Sequence, residues 1–147
     1  MKHHIGDIIE GRPLYHATSA DRVRDVARRM SEWNVGAIAI VDAGTLVGVF
    51  SERDLMTRVV AQGLDPEATP VERVMTKNIA VGDPHEDIDT AMRKMHSLNC
   101  RHLPIVEDGK LKGMLSLRDL LQIDDDQNRQ RASFLKELVT YSPDYES

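Results

Sequence analysis

Ser51, Arg53 and Asp54 stand in the stretch GVFSERDL, and Ser116, Arg118 and Asp119 stand in GMLSLRDL. A serine three residues ahead of an aspartate, at the start of a helix, can form a capping box: the hydroxyl accepts a backbone N–H and the carboxylate favours the positive end of the helix. The same geometry suits a ligand. A helix N-terminus offers N–H groups to an anion, and a carboxylate there can accept both hydroxyls of a ribose diol. The serine can reach a ribose or phosphate oxygen, and the arginine adds a rigid fork for phosphate. Capping accounts for Ser and Asp, but not for the glycine three residues before each serine or the arginine beside each aspartate. Gly48 and Gly113 are read as places where a flat base approaches the strand. The chemistry expected is binding, in duplicate.

The two stretches end a longer repeat. Displacing the chain by 65 places Arg28 on Arg93, Met30 on Met95, Asn34 on Asn99 and Gly44 on Gly109, without gaps from residue 5 to residue 57. Self-similarity over that length marks an internal duplication. Each copy reads as β-α-β-β-α. LYH (14–16) and IAV (79–81) are short extended segments. Thr18 with Asp21, and Asp83 with Glu86, are expected to cap the helices that follow, with Pro84 at the first helical position. Those helices carry Val23, Val26, Ala27 and Met30, and Ile88, Ala91, Met92 and Met95, one apolar stripe each. AIAIV (37–41) and LPIV (103–106) read as strands buried on both faces. Turns at Gly44 and Gly109 return the chain, and a second helix starts at each Ser-x-Arg-Asp.

The fold class expected is therefore α/β (α+β in some schemes): two β-α-β-β-α repeats packed on each other, plus a C-terminal helix. Repeat 1 runs over 5–60, a connector over 61–70, repeat 2 over 71–123, an amphipathic helix over 124–141 and a tail over 142–147. Thr69-Pro70 opens a short helix through Val74. Leu135, Leu138 and Val139 give the last helix an apolar stripe that should dock on the domain or on a partner subunit.

Bulk properties narrow the function. The chain has 147 residues and a net charge of −5, which disfavours binding to nucleic acid through phosphate neutralisation. Arg22, Arg24, Arg28 and Arg29 share a helix with acidic neighbours and read as a solvated face. No apolar run approaches the ~20 residues of a membrane span. MKHHIGDIIEG lacks the apolar core of a secretory signal, and Cys100 is the only cysteine, so a cytoplasmic location is expected. Cys100 itself reads as a small buried residue. His3, His4, His16, His85, His96 and His102 show no metal-ligand spacing. There is no Walker loop and no nucleophile elbow, so no catalytic residue, metal site or catalytic cofactor is expected, and the chain is not read as an enzyme.

Together, GVFSERDL, GMLSLRDL, VMT (74–76) and CRHLPIVEDGKLKG (100–113) resemble the tandem CBS (cystathionine β-synthase) domain family over about residues 5–123. The resemblance implies a two-repeat module with pseudo-twofold symmetry and ligand clefts between the repeats, usually assembled as a homodimer. It implies an adenosine-containing ligand: AMP, ADP or ATP, with NAD or S-adenosylmethionine as other possibilities. Carried onto this chain, Asp54 and Asp119 hold ribose, and Ser51 and Ser116 hold ribose or phosphate. Arg101 with His102 holds phosphate, alongside Arg53 and Arg118. The base would lie around Tyr15-His16 and Ala80-Val81, against Ile38 and Leu103-Pro104. Gly36-Ala37 stands in repeat 1 where repeat 2 has Arg101-His102, so the two sites should differ, the second favouring more phosphate charge. The function expected is a regulatory adenine-nucleotide sensor acting on an unidentified effector protein. The alternative is a structural or interaction protein with vestigial sites.

Overall fold

The computed structural model describes residues 4–124 and 136–138. In chain order these form α1 (Ile5–Ile9), β1 (His16–Ala17), α2 (Val23–Trp33), β2 (Ala37–Asp42) and β3 (Thr45–Ser51). The short α3 (Glu52–Asp54) runs on as a π-helical stretch, Leu55–Val60, and a 3-10 turn follows at Val71–Arg73. Then come α4 (Ile88–Leu98), β4 (His102–Glu107), β5 (Lys110–Ser116) and α5 (Leu117–Asp124). The result is a mixed α/β fold with small sheets. β1 is parallel to β2, and β2 is antiparallel to β3; β4 and β5 form a second pair.

α2 and α4 form where the 3.6-residue apolar spacing predicts, and they bury Val23, Val26 and Met30, and Ile88, Ala91, Met92 and Met95. Both stop at an asparagine, Asn34 and Asn99, in the left-handed region with φ 55° and 50°. Asparagine tolerates that conformation, which lets the cap N–H turn back onto the last carbonyls.

The expected helix caps need correction. Thr18 N donates to Asp21 Oδ2 at 2.9 Å and Asp83 N to Glu86 Oε1 at 2.8 Å, but these exchanges close turns that precede the helices. The helices begin later, with Arg22 and Asp87 as N-caps. The extended segments also shift. β1 begins at His16, and its counterpart in the second copy is a single parallel bridge, Gly82 to Ile105, instead of a strand at 79–81.

By its contacts the chain divides into two compact units. One comprises Pro13–Ile79 with Asp108–Leu111 and carries Asp54. The other draws its described residues from Met1–Arg12, Ala80–Glu107 and Lys112–Ser147, and carries Asp119. So each sequence repeat has its opening segment in the unit of the other repeat. In the Asp54 unit, Val71, Val74 and Met75 join a core with Val26, Ile38, Ile40 and Phe50. In the Asp119 unit, Ile5 and Ile9 join Met95, Leu103, Ile105 and Leu115. Of the expected C-terminal helix, Lys136–Leu138 are helical and Leu138 packs against the Asp119 unit's core. The rest of that helix, including Leu135 and Val139, lies outside the described residues.

The opening segments dock in the same way, but at a spacing of 66. Ile5 N donates to Glu86 O and Gly6 N to Pro84 O; Val71 N donates to Asp21 O and Glu72 N to Ser19 O. His4 bridges Asp87 as Pro70 bridges Arg22. The acceptors are related by 65 and the donors by 66, so the ungapped match from residue 5 slips by one between the opening segment and the remainder.

This docking changes the reading of Gly48 and Gly113. A Cβ on Gly48 would lie 2.6 Å from Met75 Sδ and 3.0 Å from the Thr76 carbonyl, and one on Gly113 would lie 2.8 Å from Ile9 Cδ1. The space held open is filled by the protein's own opening segment, not left for a base. Gly48→Ala should therefore cost about 1–3 kcal/mol by overpacking. In denaturant titrations, pairing it with Met75→Ala should cost less than the two single changes added together; strict additivity would show that Met75 does not press on that position.

Candidate functional site

β3 reaches Ser51 in an extended conformation, φ −118° and ψ 165°, and α3 begins at the next residue. Ser51 Oγ accepts the Asp54 N–H at 3.2 Å, and Asp54 Oδ2 accepts the Ser51 N–H at 3.0 Å. At the end of β5 the same exchange links Ser116 and Asp119, at 3.1 and 2.8 Å. The expected box thus forms twice, with aspartate where glutamate is usual. Each corner is also tied to the residue ahead of the first strand of its hairpin, β2 or β4. Glu52 N donates to Gly36 O at 2.9 Å, and Leu117 N to Arg101 O at 2.8 Å. Arg101 therefore lies beside the Ser116–Asp119 corner of its own unit.

The carboxylates differ in their remaining donors. Asp54 is 5% exposed. Thr76 Oγ1 donates to its Oδ1 at 3.1 Å, and Arg58 Nε stands 3.6 Å from the same oxygen. The Arg58 guanidinium is also engaged with the Val74 and Met75 carbonyls, at 3.4 and 3.0 Å. Both Asp54 oxygens thus have protein donors. Asp119 is instead held by Arg12, whose Nη1 lies 3.0 Å from Oδ2, the oxygen that also accepts the Ser116 N–H. The Arg12 guanidinium and the Ser116 N–H thus converge on one carboxylate oxygen. Burial pushes the Asp119 carboxyl up, but the Arg12 hydrogen bond, the Ser116 N–H and hydroxyl, and the Arg12 charge together outweigh it, leaving its pKa below the usual value.

The other candidates divide by exposure. Ile38 and Leu103 are fully buried in the cores of their units, and Pro104 is buried. As the chain stands they present no surface to a base. Tyr15 is half-buried and stacks on Trp33, with ring centroids 4.7 Å apart. His16 is exposed on β1, Ala80 is half-buried and Val81 is exposed. The Val81 carbonyl accepts Lys94 Nζ at 2.8 Å. Arg118 is exposed on the first turn of α5; Arg53, Arg101 and His102 are half-buried. Cys100 is half-buried against the core of the Asp119 unit. The arginines of α2 meet local acceptors: Arg24 pairs with Glu67 at 2.6 Å and Arg29 with Asp21 at 3.1 Å.

Arg12, Arg58 and Thr76 were not among the sequence candidates. Thr76 carried a signal in VMT. Arg12 carried none, because its partner is 107 residues away. Among the described residues no group of three His, Cys, Asp or Glu side chains could hold a metal ion, and no helix is long and apolar enough to cross a membrane.

Comparison with known proteins bears on both corners. The CBS domain family model matches residues 5–61 and 71–126. The CBS domain-containing protein YhcV of Bacillus subtilis is 38% identical over 98 residues, 67% of this chain and 69% of its own. A protein with CBS domains from Burkholderia ambifaria is 32% identical in sequence and superposes with a TM-score of 0.77, covering 85% of this chain and 96% of that one. The CBS domain protein PAE2072 of Pyrobaculum aerophilum, solved in complex with AMP, is 30% identical with a TM-score of 0.73, covering 93% and 98%. Other relatives are longer: the match spans 58% of the Methanopyrus kandleri protein MK0525 and 19% of Arabidopsis CBSCBSPB2.

The Asp119 pairing sets an acid dependence. A carboxyl whose folded pKa is lowered contributes stability above its unfolded pKa of about 3.9, and that contribution is lost as the pH falls through the folded value. Arg12→Ala should move the Asp119 midpoint upward in a carboxyl NMR titration. It should also lower stability at neutral pH while costing less once the carboxyl is protonated in both forms. A midpoint unmoved by the substitution would mean that Arg12 does not set it.

Proposed function

We infer that this chain, which belongs to the CBS domain family as a tandem pair, is a regulatory module that binds an adenosine-containing ligand at its Ser-x-Arg-Asp corners. The observation that carries this reading is the state of Asp119. Its carboxylate is ionised, held at a helix start and mostly desolvated, and the Arg12 guanidinium and the Ser116 N–H that hold it converge on one oxygen. A ribose diol needs such an acceptor, and a hydrogen bond to a charged group is worth roughly 1.5–3 kcal/mol net. Ser116 stands beside it, and Arg101 is tied to the same corner through its backbone. PAE2072, a relative covered almost end to end, supports AMP as the first ligand to test.

In this reading Asp119 and Ser116 hold the ribose, while Arg101, His102 and Arg118 serve the phosphate. The base lies along Ala80-Val81. Asp54, Ser51 and Arg53 form the matching site with Tyr15 and His16. ADP, ATP, NAD and S-adenosylmethionine share the adenosine and belong in the same screen. The module acts as a cytoplasmic homodimer that biases a partner protein, and a ligand can do so only through its different affinities for the two states of the module.

The Asp54 corner favours a second reading. There Thr76 and Ser51 supply donors to both oxygens, so that acid is already satisfied within the protein. A corner of this kind serves structure, and the sites should be unequal.

Thermal-shift screening against AMP, ADP, ATP, NAD and S-adenosylmethionine tests the reading. A ligand at 100 times its dissociation constant adds about 2.7 kcal/mol of stability. By calorimetry on folded protein, Asp119→Ala should weaken AMP binding by about 2 kcal/mol, roughly thirtyfold, and Asp54→Ala by less. Stabilisation by none of the five would leave an interaction protein with vestigial sites as the better account.

A further inference from the structure

Resting on the reading of Asp119 as a ribose acceptor, we propose that Arg12 makes the Asp119 corner selective for phosphorylated ligands over the bare nucleoside. Among the described residues the Arg12 guanidinium is held by Asp119 alone, and its side chain is 41% exposed. It follows Gly11, at φ 78°, just past the end of α1. At the 66-residue spacing of the opening segments, its counterpart in the Asp54 unit is Asn78, while Glu10 stands where that unit has Thr76. Glu10 carries no hydroxyl to match that of Thr76, and the donor to Asp119 comes from two residues further on. The cation near Asp54 is Arg58, which comes from α3's continuation and is also engaged with two carbonyls; its 65-residue counterpart is Ile123.

Arg12 thus occupies the carboxylate that a ribose diol would use. A diol that takes Asp119 as acceptor weakens the Arg12 contact, which is lodged on a carboxylate only 15% exposed. A neutral nucleoside offers the guanidinium nothing in exchange. A nucleotide does, because its phosphate hangs from the same ribose within the sweep of an arginine side chain and suits the guanidinium fork. Selectivity is a difference of affinities, and Arg12 works on both sides of it by opposing the nucleoside and rewarding the nucleotide.

The test is calorimetry with AMP and adenosine on the Asp54→Ala protein, so that the Asp119 corner is the one read, with and without Arg12→Gln. The parent should prefer AMP over adenosine by about tenfold or more, one charged hydrogen bond's worth. Arg12→Gln should collapse that preference, weakening AMP while leaving adenosine as tight or tighter, and Arg12→Lys should keep most of it. A preference unchanged by Arg12→Gln overturns the proposal. So does the loss of all AMP binding in the Asp54→Ala protein when the unmodified chain binds AMP. No binding of either compound by the unmodified chain sinks the nucleotide reading itself. A measurement without substitution near the site guards against misfolded variants: saturating AMP should shift the Arg12 Nε–Hε NMR signal of the unmodified chain. A signal that stays in place while AMP binds also overturns the proposal.

Discussion

A carboxylate that has lost most of its water must be given donors, and at both corners some of them come from outside the hairpin and helix that carry the acid. Leaving such a group uncompensated costs several kcal/mol. The box with serine meets part of the need locally. Thr76 meets more of it for Asp54, and Arg12 for Asp119, each from an opening segment docked on that unit. The docking needs a strand that can be approached closely, and Gly48 and Gly113 provide it where Met75 and Ile9 press in. Acid, glycine and opening segment therefore form one arrangement, built twice.

The two versions are not equivalent. At Asp54 the opening segment supplies a hydroxyl, and the nearby charge, Arg58, comes from the helix that follows the corner and is also engaged with two carbonyls. A guanidinium satisfies Asp119 with a charge that another anion could claim. Duplication supplied the same corner twice, while the opening segments diverged at the positions that touch it.

Local features were legible in the sequence, and distant ones were not. The apolar stripes of α2 and α4 and the Ser-Asp boxes each depend on residues within a turn or so of one another, and the structure contains all of them. The Thr18–Asp21 and Asp83–Glu86 boxes were also visible, but they close turns. The reason lies far along the chain: the carbonyls of Asp21 and Glu86 accept N–H groups from Val71 and Ile5, which holds those residues out of the helix. The glycines misled in the same way, since their neighbours lie in the opening segments. The burial of Ile38 and Leu103 could not be read in advance, because a strand buried on both faces shows no alternation to say which side chains are available. The one-residue slip is invisible to an ungapped comparison, because the opening segments share too few identities to set their own register.

The exchange of opening segments also sets an order of completion during synthesis. By the time Ile79 has been made, the Asp54 unit has all its residues except Asp108–Leu111. The Asp119 unit begins first and finishes last. Its α1 precedes the other unit, yet the strands and helix that cover Ile5 and Ile9 are added only after Ile79, when the other unit lacks only Asp108–Leu111. Arg12 meets Asp119 across 107 residues. Closing so long a loop costs little more in entropy than closing one half its length, but long-range contacts slow folding. One of the two units is therefore made as a nearly continuous folding unit. The other keeps Ile5 and Ile9 waiting until the elements that bury them have been made, an apolar surface in need of protection while the ribosome is still at work.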